Sequence, residues 1–170
     1  MRAQGEEAFR AFVRQEWRHL VHTAYLLTGD RNHAEDLAQT ALEKIHRQWG
    51  TLENPGAYTR RVMVNTAISW RRRRSYGEIP HEPQDTASPG DDFDQIDQRH
   101  QLVKALRRLP PKMRAVLVLR YFEDLPDLEI AQTLGCSTGT VKSQASRGIQ
   151  RLREQFEITD PGLAAAFQRS

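Results

Sequence analysis

Residues 125–153, LPDLEIAQTLGCSTGTVKSQASRGIQRLR, constrain the fold more than any other stretch of the chain. A short apolar-periodic run from Leu125 to Leu134 stops at Gly135, the residue type that turns a chain sharply at a helix end. Ser137 then offers an oxygen to cap a new helix, predicted to run to about Arg153. Two helices joined by so tight a turn make a helix-turn-helix. Ile130, Ala131 and Leu134 pack the first helix, and Ala131 is small where the two must cross. Val141, Ile149 and Leu152 pack the second. That leaves Thr138, Thr140, Lys142, Ser143, Ser146 and Arg147 on the N-terminal and outward face. These side chains can hydrogen-bond to base edges and phosphates in a major groove. The plainer alternative is an antiparallel helix pair with a polar surface. The capped, tightly turned pattern favours DNA.

The rest of the chain also reads as helix. Phe9, Phe12, Val13, Trp17, Leu20, Val21, Ala24 and Leu27 recur at three- and four-residue spacing, one apolar stripe. Gly29 suits a helix C-cap and Asp30 the next N-cap. That next helix is predicted to bury Ala34, Leu37, Ala38, Ala41, Leu42 and Ile45. It turns Glu35, Asp36, Gln39, Glu43 and Arg47 outward, and Trp49-Gly50 closes it. Asn54-Pro55 opens a third helix to about Arg74, with Tyr58, Val62 and Ile68 among its apolar residues. Residues 76–95 hold Pro80, Pro83, Pro89 and Gly90 among acids, without helical period, and read as a flexible linker. Ile96, Leu102, Val103, Leu106 and Leu109 suggest a further helix, broken by Pro110-Pro111. Met113, Val116, Leu117 and Leu119 make the following helix apolar. The expected fold is all-α: two small helical domains, 1–75 and 96–156, joined by the 76–95 linker and followed by a short tail, 157–170.

The charge is distributed accordingly. Residues 1–76 carry 13 Lys/Arg against 8 acids, and residues 99–153 carry 11 against 4. Between them, residues 77–98 carry 7 acids and no Lys or Arg. Two basic blocks around an acidic spacer suit two modules that both meet a polyanion. Charge alone favours nucleic acid only slightly, because Arg-rich helices are often just solvated.

Other classes of function find little support. Cys136 is the single cysteine, which rules out an internal disulfide and argues against a cysteine-based zinc cluster. His33 with Glu35-Asp36, or His19 with His22, lacks a third ligand at suitable spacing. No phosphate-cradling glycine loop or nucleophile motif appears. No catalytic residue, metal or cofactor is expected. With no long apolar run and no h-region in MRAQGEEAFRAF, neither membrane insertion nor secretion is expected, and the cytoplasm is the expected location.

The motif at 125–153, with Leu109-Pro110-Pro111-Lys112-Met113-Arg114 before it, resembles region 4 of extracytoplasmic-function sigma factors, the promoter-recognition subunits of bacterial RNA polymerase. The first module resembles region 2: HAEDLAQTALEKIHRQW, residues 33–49, is similar to the family's core-binding helix. NPGAYTRRVMVNTAISWRRRR, residues 54–74, is similar to its −10-reading helix. The resemblance runs from about Phe9 to Phe156. The wording GCSTGTVKSQASR is nearest the actinobacterial subgroup often called the SigE family. Thr40-Ala41 and Tyr58 depart from the commoner residues at those positions.

The resemblance implies a chain that binds core polymerase and directs promoter-specific initiation, within a stress response. Thr138, Thr140, Lys142, Ser143, Ser146 and Arg147 would meet the −35 element as duplex. Trp49, Asn54, Arg60, Arg61, Asn65, Arg71 and Arg72 would serve the −10 element, where a base must leave the stack before it is read. Arg60 and Arg61 cannot share a face, so only one of them need touch DNA. For Trp49, filling the core is the alternative role; for Asn65, a structural amide; for Arg147, a phosphate clamp instead of a base reader. Glu35, Asp36, Gln39, Glu43 and Arg47 would dock on the largest polymerase subunit's coiled coil, with a further contact to the flap. An acidic face is wrong for DNA and supports a protein partner. An anti-sigma protein is a further possible partner. The competing reading is a helix-turn-helix regulator of the response-regulator output type, against which the first module's lack of a strand pattern counts.

Overall fold

The computed structural model describes residues 2–74 and 93–156, and the described chain is helical throughout, without a strand. The first module is three helices: α1 (Ala3–Thr28), α2 (Arg31–His46) and α3 (Pro55–Arg74). The second is four: α4 (Phe93–Arg107), α5 (Pro111–Leu117), α6 (Asp127–Leu134) and α7 (Thr138–Phe156). The expected linker lies almost wholly outside the described residues. Its last three positions do not, because α4 begins at Phe93 and not near Ile96.

Local chemistry sets the boundaries. Gly29 ends α1 at φ 77°, its N–H donating to the Tyr25 carbonyl. A side chain there would be strained, and its Cβ would fall 2.0 Å from Cδ of Arg107. Asp30 caps α2 by accepting from the Asn32 N–H at 3.0 Å. A 3₁₀ turn, Trp49–Thr51, leads to α3, which Asn54 caps through its Oδ1 on the Ala57 N–H at 3.1 Å. Pro111 opens α5, where its missing N–H costs nothing. The end of α5 widens into a π turn, Val118–Phe122, closed by the Glu123 N–H on the Val118 carbonyl. Asp124, at φ 57°, then turns the chain toward α6; Asp is among the few side chains that tolerate this conformation.

Packing follows the apolar stripes, with one exception. In α2 the six buried residues are the six expected: Ala34, Leu37, Ala38, Ala41, Leu42 and Ile45. In α3 the buried residues are Thr59, Met63 and Val64, while Tyr58, Val62 and Ile68 are only half-buried. Thr59 is accommodated there by donating its hydroxyl to the Pro55 carbonyl at 2.7 Å.

The two modules share one apolar core. Leu20, Ala24 and Leu27 of α1 belong to the same buried cluster as Leu106, Leu109 and Val116 to Leu119 of the second module. The packing joins α1 to α4 and α5, and α3 to α5 and α6.

Candidate nucleic-acid and polymerase interfaces

The helix-turn-helix forms as its sequence requires. Gly135 ends α6 at φ 67°, its N–H on the Ala131 carbonyl. Ser137 caps α7, its Oγ accepting the Thr140 N–H at 3.1 Å. Ile130 and Ala131 of α6 and Val141, Ala145 and Leu152 of α7 are buried. Thr138, Thr140, Lys142, Ser143, Ser146 and Arg147 are all exposed on one helix. Ser143 also bonds back to the carbonyls of Gly139 and Thr140, at 3.2 and 3.3 Å.

Sequence reasoning missed how α7 comes so close to α5. Gly148 is buried, and a Cβ there would lie 2.9 Å from Cδ1 of Leu117 and 3.1 Å from Cγ of Met113. No periodicity marks such a glycine, because its role depends on a helix thirty residues away.

The α3 surface holds an open groove of about 610 Å³, lined by Lys44, Tyr58, Arg61, Val62, Asn65, Thr66, Ser69 and Arg73. Two of the residues expected at the −10 element, Arg61 and Asn65, fall in it. Arg73 belongs to the arginine run, Arg71 to Arg74, whose place at the end of the −10-reading helix suits backbone phosphates; Lys44 and Ser69 were not anticipated, although helical spacing from Arg61 and Asn65 points to Ser69. Arg60 turns the other way and faces Glu123 of the second module at 3.7 Å. Asn54 and Arg72 are exposed, and Asn54 spends its Oδ1 on the α3 cap. Trp49 packs against Phe9 and Phe12 with ring centroids 5.3 and 5.2 Å apart, in the seam between α1 and the end of α2.

On α2, Glu35, Asp36, Gln39 and Glu43 are exposed, as is Arg47 just after the helix. This face is polar and stands opposite the helix's buried stripe. His33 instead pairs with Asp30 at 2.6 Å.

The residue that most organises the boundary between the modules is Arg114, which the sequence presented only as part of a motif. It is 3% exposed. Its guanidinium donates to the carbonyls of Leu106 (2.6 Å), Leu27 (2.8 Å), Arg107 (2.6 Å) and Leu109 (3.1 Å). Burial, then the nearby cations of Arg71 and Arg107, lower its pKa to about 9. It therefore remains a cation at neutral pH, and its rigid fork of donors satisfies four carbonyls at once.

Comparison with known proteins agrees with this geometry. Residues 12–76 match Sigma-70 region 2, and residues 99–152 match Sigma-70, region 4. The chain belongs to the sigma-70 family of RNA polymerase sigma factors. Among its relatives is the RNA polymerase sigma-E factor of Streptomyces avermitilis, 40% identical over 155 residues, spanning 89% of this chain and 87% of that one. The sigma-E factor of Streptomyces coelicolor is 39% identical over 89% of this chain and 88% of its own. Among solved structures, the sigma factor RpoE of Bartonella quintana, in complex with the anti-sigma factor NepR, superposes with a TM-score of 0.74. At 24% identity over 91% of this chain and 99% of that one, it supports the fold. The region 2 match accounts for the first module, which a response-regulator output protein would not carry.

Proposed function

We propose that this chain binds core RNA polymerase and directs promoter-specific initiation. In this reading α7 meets the −35 element as duplex, and the α3 groove captures bases of the −10 element once they have left the stack. The observation that carries it is the pairing of the two sigma-70 regions, in order, with three separate exposed surfaces of suitable chemistry. The hydrogen-bonding face of α7 suits base edges and phosphates. The groove on α3 combines Lys44, Arg61 and Arg73 with the Tyr58 ring and the Asn65 amide, a set that can hold a backbone and an unstacked base. The polar face of α2 suits a protein partner, the polymerase's largest subunit, with the flap as a second contact. Arg61 takes the phosphate role left open between the two neighbouring arginines, since Arg60 is turned toward Glu123. The chain works in the cytoplasm, without cofactor or metal, and an anti-sigma protein is a further partner in this reading. The structures of RpoE with NepR and of CnrH with the cytosolic domain of CnrY show relatives of this fold held in complexes.

The test is transcription in vitro with purified core polymerase on fragmented genomic DNA, with sequencing of RNA 5′ ends. Discrete start sites that need this chain are expected. Transcripts unchanged by its addition would reject the reading.

A further inference from the structure

Arg107, the last residue of α4, lays its side chain across Gly29 at the end of α1. A Cβ at Gly29 would fall 2.0 Å from Arg107 Cδ and 2.8 Å from its Nε, so the approach requires glycine and fixes where the guanidinium lies. The Nε is buried and, among the described residues, has no hydrogen-bond partner. No described carboxylate pairs with this guanidinium either. The acid next to Gly29 in the chain, Asp30, is committed elsewhere: it accepts the Asn32 N–H and holds His33 at 2.6 Å.

Two further guanidiniums converge on the same helix end. Arg71 of α3 donates to the Arg107 carbonyl at 2.9 Å, and Arg114 donates to that same oxygen at 2.6 Å. Arg114 places its other donors on the carbonyls of Leu106, Leu27 and Leu109. The partial negative charge of a helix C-terminus offsets some of this positive charge. It does not offset all of it: burial, then Arg71, then Arg107 press the Arg114 pKa down to about 9. Like charges this close repel one another, and a buried N–H without an acceptor adds its own cost. One added anion would lower both.

We propose that Arg107, with Arg71 beside it, forms a binding site for a phosphate dianion where the ends of α1, α3 and α4 meet. The planar fork of a guanidinium presents parallel N–H groups that match two oxygens of a tetrahedral phosphate, a geometry chloride cannot use. Two forks from different helices favour a doubly charged oxyanion over a singly charged one. Arg114 is the fixed cation behind them; its donors are held by carbonyls, so it supplies field more than bonds. Free phosphate and the phosphate end of a small ester share this chemistry. The inference stands apart from the promoter reading, since it needs neither the α7 face nor the α3 groove.

Thermal melts of the full-length chain test this, with sodium phosphate replacing chloride at constant ionic strength and slightly alkaline pH, where phosphate is a dianion. A saturating rise of about 3–6 °C is expected once phosphate exceeds its dissociation constant about tenfold. The gradual rise that phosphate gives any protein by exclusion from its surface does not saturate and is common to all variants. Arg107→Met keeps an apolar stem over Gly29 and removes the fork. In chloride it should melt at or above the wild-type temperature, because the crowding of Arg114 is relieved. In phosphate it should lack the saturating rise. A purely structural role for the Arg107 cation predicts the reverse, a loss in chloride and an undiminished response to phosphate. Phosphorus NMR reads binding without unfolding: the wild-type chain should broaden the inorganic phosphate signal and Arg107→Met should not. Melts in glycerol phosphate separate the two sources. An equal rise supports a site open to phosphate esters, and a rise with inorganic phosphate alone supports one confined to the free ion. No saturating rise and no broadening with the wild-type chain, or the same rise in Arg107→Met, would overturn the site.

Discussion

The guanidinium of Arg114 in the second module donates to the carbonyl of Leu27 in the first at 2.8 Å, across a boundary where Arg114 is almost wholly buried. The same group holds three more carbonyls, so its removal strands several acceptors at once. Arg114→Met keeps much of the volume and none of the donors. It should destabilise the chain by about 2–4 kcal/mol, the range for losing charge-assisted bonds to buried partners. Arg114→Lys should recover little, because a single ammonium cannot span the same fork. Urea denaturation followed by circular dichroism measures both.

Gly148 allows a comparison of opposing effects. Alanine there gains about 1 kcal/mol of helix propensity. It also pushes a Cβ to 2.9 Å from Leu117 Cδ1, and overpacking a core costs about 1–3 kcal/mol. Gly148→Ala should therefore be near neutral or mildly destabilising. Gly148→Val adds two methyls and loses most of the propensity gain, so it should cost more than about 2 kcal/mol. Thermal melts of the two variants should differ clearly, and equal melting temperatures would mean that α7 can slide off α5 without penalty.

On α2, Asp36→Arg with Glu43→Arg reverses charge at two exposed positions. Helical content should not change, because neither side chain packs in the core. Binding to core polymerase in a pull-down should weaken. Wild-type retention would move the docking surface elsewhere.

For α7, Lys142→Ala should weaken binding to all duplexes and flatten the salt dependence by about one unit of slope. Arg147→Ala should cost about 1–3 kcal/mol and relax preference at one base position if it reads a guanine edge. Binding measured across a −35 sequence library distinguishes the roles, since an equal loss on every sequence assigns Arg147 to phosphate.

Asn65→Ala should spare closed-complex formation and impair opening. Promoter duplex should be bound nearly normally, while permanganate-reactive thymines near the start site are lost. A template pre-melted across the −10 region should restore initiation. Normal melting on intact duplex would reduce Asn65 to its bond with Thr133.

The local part of this architecture was legible from sequence. The buried set of α2, the Gly29 and Gly135 turns, and the Asp30, Asn54 and Ser137 caps all depend on residues within a few positions of each other. The α3 face was less so. Its half-buried Tyr58, Val62 and Ile68 line or flank an open groove, while Thr59 reaches the core because its hydroxyl finds a carbonyl one turn back. Nothing local announced Glu123, whose hydrogen-bond partners His19 and Thr23 lie about a hundred residues upstream, or Arg114, whose acceptor at Leu27 is 87 positions away. Composition suggests two modules joined by a flexible linker, and each module does have its own stripes. What composition could not carry is the apolar surface they share.

The acceptors at the module boundary have a consequence for genetics. Asn65, Arg71 and Arg114 each donate to a main-chain carbonyl, at Thr133, Arg107 and Leu27. A carbonyl survives every substitution of the residue that bears it. Selections for chains that separate too readily should therefore recover changes at the three donors and around Glu123. They should pass over Thr133 unless the backbone itself is displaced there, whereas changes at Leu27 and Arg107 act through side chains, the first in the shared apolar core and the second packed beside Gly29.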